Sequence, residues 1–267
     1  MIINSNILII LLLSIIQGLT EFLPISSTAH MIIVSKLLNL PNNQFFNMFN
    51  IIVQLGSVCA GCIFFHKTIY NIIYNTLKYN KNKINLLHIL ITIMPIIIIG
   101  IIFYHKIKKI MSITNTIYGM ILGSIYIYIS EIIKPKKYKI YNINCLKYKL
   151  LFIIGCFQCL AFLPGFSRSG SVLSISLIMG LTRYIATELC FVIAIPVIFG
   201  ASCLELYKNF IFLNIYNIKI LILSFFISFI TSFCTIRLSL FLIHYMSWRY
   251  FAIYRIIIAI MIYIYIM

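Results

Sequence analysis

The sequence predicts an all-α polytopic membrane protein: an inverted-topology repeat with two re-entrant helical hairpins and about six full transmembrane helices. Three observations carry this. Of 267 residues, 63% are hydrophobic and only 9% charged, with a mean hydropathy of +1.08. A soluble domain is about 25% charged, so this chain has too little polar surface to cover a globule in water. The apolar residues also fall into runs of the length a bilayer requires, apart from four that are too short. Finally, a Phe-Leu-Pro-x-x-Ser element occurs twice, 140 residues apart, at Phe22–Ser27 and Phe162–Ser167. A cytosolic enzyme is excluded, and so is a disordered or fibrous chain, since no low-complexity tract or collagen period is present.

A membrane helix needs about 20 apolar residues, and six stretches approach this: 45–65, 86–104, 112–130, 187–206, 218–236 and 250–266. Ile7 to Ile16 stops at Gln17-Gly18, and Met31 to Leu38 carries Lys36. Leu150 to Leu163 stops at Pro164-Gly165, and Gly170 to Leu181 stops before Arg183. Two short runs around a polar, Pro-containing hinge read as a re-entrant hairpin, tolerated at depth only where it is buried in protein or lines a wet cavity. The chain is thus one membrane domain, 1–267. Its first repeat is 1–133 with hairpin 7–38, and its second is 150–267 with hairpin 150–182. The first apolar run lacks the basic start of a signal peptide. Two Cys-x-x-Cys pairs, Cys59/Cys62 and Cys156/Cys159, lie inside apolar runs, where Cys behaves as a small hydrophobe.

Basic residues set the orientation. Thirteen fall in loops on one side: Lys67, Lys78, Lys81, Lys83, Lys134, Lys136, Lys137, Lys139, Lys147, Lys149, Arg183, Arg237 and Arg249. Six fall on the other: Lys36, Lys106, Lys108, Lys109, Lys208 and Lys219. The richer side is cytoplasmic by the positive-inside rule. The first hairpin then enters from outside and the second from the cytoplasm. The net charge of +17 belongs to loops facing anionic lipid, not to nucleic-acid binding. Arg183 and Glu188 read as a surface pair on an exposed stretch of helix.

Polarity outside the loops is concentrated in Gln17–His30 and Pro164–Ser171. A charge at the centre of a membrane helix costs about 2.5–3.5 kcal/mol even on a lenient scale. Glu21 and Arg168 therefore need each other, water or a ligand. Pro is favoured in the first helical turn and Ser/Thr as N-caps, which places helix starts near Pro24 and Pro164. Free backbone N–H groups are then expected at Ser26, Ser27 and Thr28, and from Ser167 to Gly170. Two such N-termini, with Gly165 and Gly170 allowing close approach and Arg168 as a bidentate fork, form a phosphate or diphosphate cradle. Glu21, Ser26, Ser27 and His30 offer a nucleophile and a proton acceptor, and a helix starting near Pro24 puts Ser26/Ser27 and His30 on one face. Glu21 is the expected ligand of a divalent cation, Mg²⁺ or Ca²⁺, completed by substrate phosphates and water.

The segments QGLTEFLPISSTAH and LPGFSRSGSVLS, with GLTRYIATELCFVIAIPVIFGA and FAIYRIIIA further on, closely resemble the undecaprenyl-diphosphate phosphatase, or bacitracin-resistance, family. The resemblance runs along essentially the whole chain. It implies an inverted repeat with two re-entrant hairpins. It also implies hydrolysis of undecaprenyl diphosphate to undecaprenyl phosphate and inorganic phosphate, recycling the carrier for peptidoglycan and conferring bacitracin resistance. Further implications are a multi-pass protein of the bacterial inner membrane, a site facing the periplasm and assistance from a divalent cation. The family's first acidic motif is carried by Gln17 and Glu21, its His by His30, its proposed nucleophile by Ser27 and its Pro-Gly-x-Ser-Arg-Ser motif by Pro164–Ser169, with Arg168 on phosphate. Two departures stand out. Gln17 replaces the commoner Glu, and Val172 stands where the motif ends in Thr, with Ser171 or Ser174 as substitute hydroxyls. The runner-up is a polyprenyl-phosphate transporter or flippase, because paired broken helices are also a transporter architecture. Ser27 attack and attack by a positioned water both fit, and monomer and homodimer stay open.

Overall fold

A computed structural model describes residues 2–41, 43–80, 83–209 and 215–266. Lys81, one of the thirteen bases above, lies outside them. The described chain is helical, with no strand. Its helices are α1 Ile2–Thr20, α2 Ser27–Leu37, α3 Gln44–Phe64, α4 His66–Leu77, α5 Leu86–Ile102, α6 Tyr104–Lys109, α7 Ile113–Ile133, α8 Tyr148–Gln158, α9 Arg168–Ile178, α10 Arg183–Asn209, α11 Ile215–Tyr245 and α12 Arg249–Ile266.

Among the described residues, five stretches are long and apolar enough to cross a membrane: Gln44–Phe64, Ile113–Ile133, Arg183–Lys208, Ile218–Tyr245 and Arg249–Ile266. Five of the expected six reach that length. The span expected over 86–104 forms α5, only 17 residues, or about 26 Å against a hydrocarbon core of about 30 Å. The helix breaks at Phe103, where the polar Tyr-His-Lys start of α6 takes over. Outward residues such as Phe226, Ile230, Leu238 and Ile257 remain exposed, as they do where lipid rather than water covers the surface.

Polar contacts sit inside instead. Ser228 Oγ lies 2.9 Å from Ser57 Oγ, and Ser232 Oγ donates to Ser57 Oγ at 2.8 Å, joining α3 to α11. The Gly18 carbonyl accepts from Thr235 at 2.9 Å and Ser232 at 3.3 Å. A Cβ on Gly18 would collide with Thr231. Small and hydroxyl residues pack membrane helices in this way. They also correct the expected break at Gln17-Gly18: held by α11, α1 continues through Gly18 to Thr20.

Helices α2, α8 and α9 have 11 residues each, about 16 Å and so about half a hydrocarbon core. They meet α7, whose Gly119 leaves no room for a Cβ beside the Pro164 carbonyl and whose Gly123 leaves none beside Phe166 and Arg255. At the far end of α7, Glu131 accepts from Arg183 at 2.7 Å and from the Trp248 N–H at 3.0 Å. Arg183 also donates to the Met246 carbonyl at 2.8 Å. The surface pair expected between Arg183 and Glu188 is not formed. Arg183 latches α7, α10 and the turn between α11 and α12, while Glu188 accepts from Thr68 at 3.4 Å.

Candidate active site

Two broken helices meet here. After α1, Glu21–Ser26 turn the chain into α2; after α8, a 3-10 turn at Cys159–Phe162 leads to the start of α9. Ser26 (φ 71°) and Ser167 (φ 77°) occupy the left-handed region, a strain of about 1–3 kcal/mol each that the surroundings must enforce. Both are N-caps. Ser26 Oγ accepts from the Ala29 N–H at 3.3 Å, and Ser167 Oγ from the Gly170 N–H at 3.1 Å. Pro24 and Pro164 therefore stand ahead of the caps rather than in the first turn, because a left-handed cap needs an approach that a continuing helix cannot supply.

This geometry also shifts the internal match by one residue. The motif aligns Ser27 with Ser167, but the caps align Ser26 with Ser167, since the second hinge has one more residue after its proline. Ser27 and Arg168 are then the equivalent first residues of α2 and α9. Both reach one carboxylate. Ser27 Oγ donates to Glu21 Oε2 at 2.7 Å, and Arg168 NH2 donates to Glu21 Oε1 at 3.2 Å. Gln17 Nε2 donates to Oε2 at 2.7 Å from one turn earlier on α1. Ser169 Oγ donates to the Leu23 carbonyl at 3.0 Å and ties the second arm to the first hinge. One terminal nitrogen of Arg168, NH1, is buried without a partner.

These groups line a cavity of about 190 Å³. Glu21, Ser26, Ser27, Thr28, Gly165, Ser167, Arg168 and Ser169 form its polar side; Ile96, Met111, Val197, Ile198 and Ala201 form an apolar wall. At the first turns of α2 and α9, the N–H groups of Ser27, Thr28, Arg168 and Ser169 lie outside the helix ladder, as the first donors of any helix do. Three expected residues lie elsewhere. Gln17 sits behind Glu21, 1% exposed. Gly170 gives its N–H to the cap and packs near Arg255. His30 faces away from Glu21: its Nδ1 lies 2.8 Å from the Ser26 carbonyl and its Nε2 2.9 Å from the Tyr254 hydroxyl. Val172, Ser171 and Ser174 are fully buried on α9 and none of them lines the cavity.

Two residues here escaped the reading of the motifs. Arg255, 0% exposed, donates to the carbonyls of Pro24 (3.3 Å), Gly165 (2.7 Å) and Phe166 (2.9 Å), and so fastens both hinges. Gln54 of α3 adds a polar group to the cavity lining from outside the two hinges. Both interrupt apolar runs, and the penalty that singled out Glu21 and Arg168 singles out Arg255 too.

Glu21, Ser27 and a phosphate would make a hard-oxygen set, and Mg²⁺ binding through one carboxylate plus phosphates is common. Among the described residues, no cluster of three or more His, Cys, Asp or Glu exists, so such an ion would depend on Glu21 and the ligand.

The family model described as "Bacitracin resistance protein BacA" matches residues 10–261. A curated relative from Buchnera aphidicola subsp. Schizaphis graminum (strain Sg), named undecaprenyl-diphosphatase, is 42% identical over 258 residues, 97% of each chain. The chain belongs to the BacA bacitracin-resistance protein family.

Proposed function

We propose that this protein hydrolyses undecaprenyl diphosphate to undecaprenyl phosphate and inorganic phosphate, returning the lipid carrier to peptidoglycan synthesis and conferring bacitracin resistance. The observation that carries the reading is the 2.7 Å hydrogen bond from Ser27 to Glu21, beside Arg168 and two helix N-termini. A pure transporter has no need of a hydroxyl poised on a carboxylate.

The terminal phosphoryl group binds at the first turns of α2 and α9, where N–H groups and helix dipoles favour anions. Arg168 offers its unused NH1 and the charge it now shares with Glu21. Glu21 accepts a proton from Ser27, or from a water that Ser27 orients. The oxygen so activated attacks the terminal phosphorus, and the bond to the bridging oxygen breaks. Undecaprenyl phosphate departs with that electron pair. On the serine route a water that gives its proton to a base then attacks the phosphoserine, breaking the serine O–P bond and releasing inorganic phosphate. Acid quench followed by detection of phosphoserine distinguishes the two nucleophiles. His30 holds the Ser26 carbonyl and hence the cap of α2. A divalent cation, Mg²⁺ or Ca²⁺, held by Glu21 would neutralise phosphoryl oxygens as a Lewis acid.

The pairing of helices supports an inverted repeat. Helix α1 packs on α11 as α8 packs on α5, while α3 meets α10 and α7 meets α12. In this reading, α1–α2 and α8–α9 are the re-entrant hairpins of repeats 1–133 and 150–267. Gly123 lies ten residues along α7, about 15 Å, so the hinges sit near the membrane centre. Met111 and Ala201 lead from the cavity toward α6, with Lys106, Lys108 and Lys109, and toward Lys208. That is the side with fewer bases, which makes the site periplasmic in an inner-membrane protein.

The test is phosphate release from undecaprenyl diphosphate by detergent-purified protein, with Mg²⁺ and with EDTA. We expect metal-dependent release, lowered about a hundredfold or more in Ser27→Ala, Glu21→Gln and Arg168→Ala. Near-normal release in Arg168→Ala would overturn the cradle, and release unaffected by EDTA would remove the cation.

A further inference from the structure

Gln54 stands apart from the other polar residues of the cavity. It comes from α3, whereas the rest belong to the two hinges and arms. It is half-buried on a helix that also carries the fully buried Val53 and Val58, and it lines the cavity without a hydrogen-bond partner among the described residues. Its amide is not sealed in the interior but belongs to the lining of the cavity. A packing role would be filled better by Leu or Met, and a structural amide would be bonded. The remaining role is toward whatever occupies the cavity.

We infer that Gln54 binds the phosphate attached to the prenyl chain, the leaving group of the reaction. This rests on the function proposed above. A diphosphate presents two phosphoryl groups, and the Ser27–Glu21–Arg168 side can hold only the terminal one in line for attack. A cavity of about 190 Å³ accommodates a head group but not a long prenyl chain. The chain must leave along the apolar wall of Val197, Ile198 and Ala201, on α10, which packs against α3. The chain-proximal phosphate therefore lies on Gln54's side. Its Nε2–H₂ donates to an oxygen of that phosphate, where negative charge grows as the bridging bond breaks. A neutral donor suits this place, because it stabilises the departing charge without holding the product as a cation would.

The experiment uses detergent-purified full-length protein, wild type beside Gln54→Met and Arg168→Lys. Farnesyl monophosphate is titrated in saturating inorganic phosphate, and inorganic phosphate is titrated separately. We expect Gln54→Met to weaken farnesyl monophosphate about tenfold and to leave inorganic phosphate within about twofold, with thermal stability unchanged or raised. Arg168→Lys is expected to weaken inorganic phosphate. Unchanged farnesyl phosphate binding overturns the assignment. Equal weakening of both ligands does too, since Gln54 would then serve the terminal phosphate, and so does a lowered melting temperature, which would mark a packing role. Failure of the wild type to release phosphate from undecaprenyl diphosphate would instead refute the diphosphatase reading, independently of these binding results.

Discussion

Arg255 illustrates how a single side chain sets the position of two others. Its guanidinium reaches carbonyls on both hinges and, at 3.3–3.5 Å, those of Gly119 and Met120 on α7. Among the described residues, no carboxylate is one of its hydrogen-bond partners. Each carbonyl left unpaired in such surroundings is unfavourable by about 1–3 kcal/mol. Arg255→Met should therefore lose on the order of 3 kcal/mol in a thermal or denaturant melt. Arg255→Lys should recover only part of it, because an ammonium lacks the planar fork that spans both hinges. Glu21, Ser27 and Arg168 were legible in the sequence because charge and hydroxyl groups stand out against apolar runs. The orientation of His30 was not, since its partner Tyr254 is 224 residues away. If His30 acts through the Ser26 carbonyl, His30→Gln, which can still donate there, should keep about a tenth or more of wild-type phosphate release. Ser27→Ala should fall about a hundredfold. Equal losses would return His30 to proton transfer.

Among the helices, α7 is the one against which the second hinge is pressed, and its glycines decide how closely. Gly119→Leu should displace the Pro164 carbonyl and abolish phosphate release together with stability. Gly200 is the control. A Cβ there meets nothing within 4 Å, so Gly200→Ala should stabilise α10 by about 0.5–1 kcal/mol and leave activity intact. The broken helices themselves were legible, because Pro, Gly and Ser interrupt apolar runs at both places. Their start points were not. A serine cap at positive φ is imposed by contacts from α7 and α12, not by local preference, so the prolines suggested helices beginning three or four residues too early. The continuation of α1 through Gly18 was likewise hidden, resting on hydroxyls of α11 more than 200 residues away.

At the scale of the molecule, orientation rests on thirteen bases against six. Cys145 is exposed in the base-rich segment between α7 and α8. In a variant keeping only this cysteine, a membrane-impermeant maleimide should react only after the inner membrane is opened. A cysteine placed at Lys109 in the same background should react in intact spheroplasts. The reverse pattern would invert the protein and move the site to the cytoplasm.

Ser27 and Arg168 hold the same position in their two arms, yet one brings a hydroxyl and the other a fixed cation to a single carboxylate. On the mechanism proposed above, neither half of the chain carries a complete reaction centre, and two copies of either would duplicate one role and omit the other. Severing the chain between Lys136 and Lys137, both exposed, should then yield fragments that are inert apart and active when co-expressed. Such complementation would show that catalysis arises where two unlike halves are joined, as it does at the shared interface of a heterodimer.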